Sequence, residues 1–340
     1  MQTARSDGRL DVLLMGDIRI GTCGWSYPSG QGRWNGVFYP DAAERPRGFD
    51  ELAYYAEHFN SVEVNVTFYR PPVAGTTKRW AERTPADFDF SIKLYQRFTH
   101  PAGLQRDGRP TEAKAPGRNP SIPDLAQADI DEFKRGIDPI ASRGKLGAIL
   151  VQFPPSFRDS GESRAYLERL LRGFAGYPMA VELRHRSWSD RRTDTLNLLS
   201  GFDAALVQID EPKFRFSIRQ DFVPNVTGIY YVRLHGRNAA RWWRHDSPDE
   251  RYDYIYSAGE LVPFAEAARA ATALVKKAYL YLNNHFAAKA VVNATELKHE
   301  LGQPITGEYR TALVERYPVL EGIVAGSKRE SPPSLFDQSP

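Results

Sequence analysis

The chain has 340 residues, 41% of them hydrophobic, which is enough for one large core and for a barrel domain of ~250 residues or more. A net charge of +3 is too small to point to nucleic acid by itself, and the single cysteine, Cys23, excludes an internal disulfide and a cysteine-built zinc site. No apolar run approaches the ~20 residues that span a bilayer, so a cytoplasmic protein without membrane contact is expected.

Residues 1–17 read as a flexible polar leader, because the apolar stretch Val12 to Met15 is too short for a signal segment. Short β-branched runs then alternate with stretches of helical period. The first runs are IRIGTCGW from Ile18, SVEVNVTFY from Ser61, FDFSIKLY from Phe88 and LGAILVQFP from Leu146. MAVELRH from Met179, AALVQID from Ala204, GIYYVRLHG from Gly228 and AYLYLNNH from Ala278 complete eight. Helical stripes lie between them. Leu52, Tyr55, Ala56 and Phe59 share one face, as do Tyr166, Leu167, Leu170 and Leu171, and Leu261, Phe264, Ala265 and Ala268. Alternation of this kind predicts parallel strands joined by right-handed crossovers. Eight units predict an α/β fold of the (β/α)₈ TIM-barrel type over residues 18–303, followed by a C-terminal extension (304–326) and a disordered tail (327–340). A doubly wound open sheet is the rival, and it lacks a G-x-G-x-x-G after the first run. Residues 97–122 and 236–257 read as long loops on the C-terminal side of strands. Gly24 and Gly236 sit where strands must turn sharply, and Pro154-Pro155 stops the fourth strand.

Period-two alternation assigns the faces. Val62, Val64, Val66 and Phe68 are expected outside, which puts Glu63, Asn65 and Thr67 inside. The same reading brings Lys93, Gln152, Glu182, Arg184, Asp210, Arg233, His235, Tyr281 and Asn283 to the interior or rim. Ionisable groups in a barrel interior must pair, meet water or meet a ligand, since an unpaired buried charge costs several kcal/mol. They therefore mark a candidate site at the strand ends.

The signs are balanced. Glu63, Glu182 and Asp210 oppose Lys93, Arg184 and Arg233. Carboxylates without cations would favour a divalent metal, whereas this mixture favours an anion or a closed ion network. In the catalytic reading Glu63 or Glu182 is the general base, with His235 as acid and Asp210 in the same set, and no cofactor or metal is called for. Trp25, Asn65, Tyr69, Lys93, Gln152, Arg184, Trp188, Arg233, Asn283, Asn284 and His285 form the expected substrate shell. His185, His235 and His285 end three different strands, while His58 and His299 read as structural or solvated. Trp242 and Trp243 between Arg241 and Arg244 suit either base stacking or packing on the rim, with packing preferred.

The segments IGTCGWSYP, FNSVEVNVTFYR, LGAILVQFPPSF, VELRHRSW, YYVRLHGRN and YLYLNNHFAAKAVVNA, in this order, resemble the domain of unknown function 72 family of YecE-like proteins. The resemblance covers about Ile18 to Gly302 and implies a TIM barrel without an assigned activity. Residues 104–122 look like an insertion relative to that pattern, and Cys23 stands where a serine is expected.

Three functions follow as expectations. The first is a metal-independent enzyme using acid–base chemistry on a small anionic, sugar- or phosphate-bearing substrate. The second, by fold analogy with endonuclease IV and xylose isomerase barrels, is a metal-dependent phosphodiesterase or isomerase. The third is a nucleic-acid or protein-binding module, suggested by Arg241 to His245 and the tail PPSLFDQ. The sequence has no nucleophile elbow, P-loop or H-E-x-x-H motif.

Overall fold

A computed structural model describes residues 16–101, 122–242 and 248–325. All eight expected runs form strands: β1 (Asp17–Cys23), β2 (Ser61–Val64), β3 (Asp89–Lys93), β4 (Leu146–Gln152), β5 (Met179–Glu182), β6 (Ala204–Leu206) with β7 (Gln208–Asp210), β8 (Ile229–Leu234) and β9 (Lys277–Leu282). The sixth run is split at Val207, so nine strands stand where eight were expected. Every pairing between these strands is parallel, in the order β6-β5-β4-β3-β2-β1-β9-β8-β7. Because β6 and β7 are successive pieces of one run, this order describes a nearly closed α/β barrel.

The crossovers carry α1 (Glu51–His58), α2 (Ala74–Glu82), α3 (Gln127–Ala141), α4 (Gly161–Gly173), α5 (Arg186–Asp190), α6 (Arg192–Ser200), α7 (Ala258–Thr272) and α8 (Lys289–Glu300), with α9 (Thr311–Arg316) after them. The expected stripes face the barrel: Tyr166, Leu167, Leu170 and Leu171 of α4 are buried, and so are Leu261, Phe264, Ala265 and Ala268 of α7. Asp50 caps α1 by accepting from the N–H groups of Leu52 and Ala53, and Ser257 and Glu260 form a capping box on α7.

The barrel interior is filled unusually. Tyr231, Tyr279 and Tyr281 project from neighbouring strands, with ring centroids 5.2–6.0 Å apart. Small residues surround them: Gly21 pairs in register with Tyr281 and Ser61, and Ala148 pairs with Ser91. Large against small fills a tapering barrel without voids. The hydroxyls are satisfied from below and above. Tyr279 bonds Asp89 at 2.9 Å, Tyr281 meets Ser91 at 3.0 Å, and Tyr231 donates to Glu63 at 2.8 Å. The outward residues Val62, Val64, Ile92, Ile149, Val181, Leu234 and Leu282 are buried beneath the helices.

Two sequence expectations fail locally. The second strand stops at Val64, and Val66–Phe68 is a 3₁₀ turn. Thr67 explains the stop, because its hydroxyl donates to the carbonyls of Val64 and Lys93. Val66 is therefore solvent-exposed, and Phe68 turns toward Lys93 rather than outward. Gly24 and Gly236 adopt positive φ (99° and 84°) at their strand ends, as the turns there require.

Residues 308–325 pack on the barrel. Tyr309, Leu313 and Leu320 are fully buried, and Tyr317 donates to the Ala287 carbonyl at 2.7 Å. The leader through residue 15, loop residues 102–121 and 243–247, and the tail from 326 lie outside the described residues. No helix among the described residues is long and apolar enough to cross a membrane.

Candidate active site

The carboxyl ends of the strands bring most of the expected site together. Glu63 (β2), Gln152 (β4), Glu182 (β5) and Arg233 (β8) meet on the barrel axis. Arg233 grips Glu63 side-on, with Nε 2.9 Å from Oε2 and Nη2 2.7 Å from Oε1. Its Nη1 donates to Glu182 Oε2 and to Gln152 Oε1. Glu63 and Glu182 are 0% exposed and Arg233 is 1% exposed. Burial pushes the Glu182 carboxyl up, but Arg184 and Arg233 outweigh it and hold the group well below the usual carboxylate range.

Arg184 extends the ladder outward. Its Nε is 2.6 Å from Glu182, Nη1 is 3.2 Å from Glu211, and Nη2 is 3.2 Å from His235 Nε2. On its other ring nitrogen, Nδ1, His235 faces the Asn283 side-chain amide nitrogen at 2.8 Å. Burial and the Arg233 charge push His235 down to about 3. His235 is thus a neutral ring, which weakens its expected role as acid: beside two guanidiniums it does not take up the second proton that it would deliver at neutral pH. Glu211 is the group that keeps one more readily. Burial pushes its carboxyl up, and Arg184 offsets this only in part.

Lys93 stands apart from the ladder. Its Nζ lies 4.3 Å from the centre of the Phe68 ring and makes no hydrogen bond or ion pair with any described residue. Burial and the Arg233 charge lower the ammonium to about 7, against the opposing pull of Glu63 and Glu182. Phe68 also packs edge-on against His100, whose ring is pushed down to about 3 by burial and by Lys93. Asn65 and Tyr69 flank the same turn. Asn65 Oδ1 is buried without a partner among the described residues, and Tyr69 is 59% exposed.

Other expected residues are used elsewhere. Asp210 faces out of the barrel, because Ile209 takes the interior position in register with Arg233. Its carboxylate meets Arg237 at 2.8 and 3.1 Å and Tyr256 at 2.8 Å. It lines a separate cavity of about 370 Å³ with Lys213, Arg215 and Arg219. Trp188 is fully buried and its indole N–H donates to the Phe157 carbonyl, so it packs α5 instead of lining the mouth. Asn284 binds the Tyr254 carbonyl and Asn293 on the helical side. His285 stacks on Tyr27 at 4.4 Å, and Trp25 rests edge-on against Trp80 at 5.3 Å. The three strand-end histidines do not converge, since His185 caps α5 by accepting from Ser187 N–H. His58 is structural: its ring bonds the carbonyls of Tyr54 and Glu308. Trp242 is buried on the rim beside His235 and Tyr252, while Trp243 to His245 lie outside the described residues.

Sequence reasoning missed Glu211, His100 and the inward turn of Phe68. Glu211 was within reach. Ala205 pairs with Ala180 on the interior face, and counting by twos from Ala205 arrives at Glu211, not Asp210. Cys23 is buried beside Arg233 and Glu63, and burial pushes its thiol well up, so it carries little thiolate.

Comparison with known proteins agrees with this architecture. The family described as "Protein of unknown function DUF72" matches residues 19–314. The UPF0759 protein YunF of Bacillus subtilis is 28% identical over 291 residues, covering 82% of this chain and 93% of that protein. The UPF0759 protein YecE of Escherichia coli K12 is 30% identical over 140 residues, 41% of this chain and 39% of that protein. A DUF72 family crystal structure from Thermotoga maritima superposes with a TM-score of 0.66 at 31% identity, covering 84% of this chain and 100% of that one. One from Enterococcus faecalis gives 0.68 at 24% identity, covering 84% and 96%, and shows the fold alone.

Proposed function

We propose a function for a chain that belongs to the DUF72 family, whose description assigns none: a metal-independent enzyme that performs acid–base chemistry on a small anionic substrate at the barrel mouth. One observation carries this reading. The buried ion ladder satisfies itself, yet Lys93 at its edge is left without an acceptor on an aromatic face. A desolvated cation of this kind is completed by a ligand oxygen. The ladder then serves as a rigid charged floor, and Lys93, Glu211, Asn65 and Tyr69 are the groups placed to act. Lys93 near neutrality exchanges a proton at physiological pH, and Glu211 is the carboxyl biased toward donation.

The metal-dependent rival finds less support. Arg233 occupies the space between Glu63 and Glu182 where a divalent ion would sit, and no three His, Cys, Asp or Glu side chains among the described residues form a ligand group. The nucleic-acid rival loses Trp242, which is buried in the rim and unavailable for stacking on a base.

The test is a thermal-shift screen of small carboxylates, keto acids and sugar phosphates on the wild type and Lys93→Met, followed by proton NMR of each hit in D₂O. The expected result is a hit whose stabilisation is lost in Lys93→Met and whose protons exchange or convert with enzyme. No hit, an equal shift in the variant, or an inert ligand would overturn the proposal.

A further inference from the structure

The geometry points to Lys93 as a covalent nucleophile: we infer that its amine condenses with the carbonyl carbon of an aldehyde or ketone substrate to form an imine. This inference rests on the acid–base reading of the same mouth and names its substrate class.

The placement meets the demands of that step one by one. A lysine nucleophile needs a free electron pair, so it must not be locked in an ion pair. Lys93 has carboxylates in its surroundings, yet both are already engaged: Glu63 by Arg233 and Tyr231, and Glu182 by Arg233 and Arg184. The groups that bear on Lys93 are Glu63 from β2, Arg233 from β8, and Glu182 and Arg184 from β5 and its exit, with His100 beyond its own strand. Two guanidiniums within the network press the amine toward its neutral form, and the Phe68 ring on one side excludes water from it. Lys93 is also the last residue of β3, at the mouth, and is half-buried where the other four residues of the strand are buried. Rigid strand placement of a nucleophile is worth more than loop placement.

The step balances. The neutral amine adds to the carbonyl carbon, the C–O π bond breaks, and the oxygen becomes a hydroxyl. Nitrogen's lone pair then expels that oxygen as water. One proton of the departing water comes from the attacking nitrogen and the second from a general acid, the Glu211 carboxyl or solvent, so that one N–H remains on the cationic imine. No oxidant or reductant is consumed. A substrate carbonyl flanked by a carbon acid would then lose its α-proton or break its Cα–Cβ bond with the electrons drawn into the iminium, chemistry that needs no metal.

Reactivity separates Lys93 from the rest. A lysine of ordinary pKa near 10.4 is neutral about once in 2,500 at pH 7, against about one half for a group near 7, so the advantage in free amine is on the order of a thousandfold. The other ten lysines of the chain supply internal controls.

The experiment treats the full chain at pH 7 with pyruvate, dihydroxyacetone phosphate or glycolaldehyde, reduces with sodium borohydride, and maps the adduct by intact and peptide mass spectrometry. The expected result is one adduct per chain with at least one probe. It sits on Lys93 with at least tenfold preference over any other lysine, has a trapping rate half-maximal near pH 7, and is absent from a folded Lys93→Arg variant. Labelling spread evenly over the lysines, or an unlabelled Lys93 with all three probes, overturns the imine. Lys93-dependent ligand stabilisation that persists without any trapping overturns the imine alone and leaves the acid–base reading standing.

Discussion

Arg233 and Glu63 face one another through two parallel N–H to O contacts, 2.9 and 2.7 Å long, at the centre of the barrel. The same guanidinium spans to Glu182, which Arg184 also holds, so two cations balance two buried carboxylates. Arg233→Met leaves Glu63 without a counter-charge and Glu182 with Arg184 alone. It should cost about 3–5 kcal/mol in urea denaturation. Adding Glu63→Gln and Glu182→Gln should restore most of the loss, because the penalty lies in unpaired charge. A small effect of the single variant would show that Arg233 does not hold the floor.

Acid should destabilise the fold earlier than carboxylate protonation alone predicts. His235 and His100 are held at about 3, below the ordinary imidazole value of 6.5. Between those values the unfolded chain binds protons that the folded chain refuses. The stabilisation is complete above pH 6.5 and is lost as pH falls toward 3, with a slope of at most ~1.4 kcal/mol per pH unit for each ring. Urea midpoints from pH 8 to pH 4 should therefore decline, and His235→Gln should flatten part of that decline. An unchanged slope would mean that His235 is solvated.

Lys93 acts in the opposite pH region. Its folded value of about 7 lies below its ordinary value of 10.5, so the unfolded state binds the extra proton between the two. Wild-type stability should rise from pH 7 to pH 10 on this account, and Lys93→Met should lack the rise. Equal profiles would place the ammonium in water and remove the basis for its reactivity.

Asp210 and Glu211 are sequence neighbours with opposite duties. Asp210→Asn weakens the contacts to Arg237 and Tyr256 and should lower stability by roughly 1–3 kcal/mol. It should leave Lys93-dependent ligand binding unchanged. Glu211→Gln should alter that binding with little loss of stability. Calorimetry on both variants decides the assignment, and the reverse pattern would return Asp210 to the site.

The segment after α8 belongs to the folding unit. Leu313 is fully buried, and Leu313→Ala should cost about 2–5 kcal/mol by thermal or urea unfolding. A loss below about 0.5 kcal/mol would make the segment an independent appendage.

The barrel was legible because strand runs and helical stripes each repeat with their own period, and tertiary packing preserved both. The candidate cluster was legible in its centre: Glu63, Gln152, Glu182, Arg184, Arg233, His235 and Asn283 do gather, since strict alternation aims them inward. Legibility ended where alternation ended. At Asn65 the chain leaves the strand for a 3₁₀ turn, and Phe68 therefore reverses its face. At Ile209 an apolar residue occupies the interior, so polarity alone chose Asp210 over Glu211. Trp188, Asn284 and His185 sit just past strand ends, where the backbone turns into helices and polar groups serve as caps and clamps. Nor does sequence spacing reveal that both arginines spend their donors on the ladder and leave the lysine over.

Three clustered tyrosines lie below the ladder. Tyr231, Tyr279 and Tyr281, bonded into Glu63, Asp89 and Ser91, fill the interior below the ladder among the described residues. On the proposed reading, a ligand that enters at Lys93 leaves by the same opening. A product must clear the mouth before the next substrate arrives, so departure and arrival compete for one doorway, and inhibition by product should be competitive with substrate.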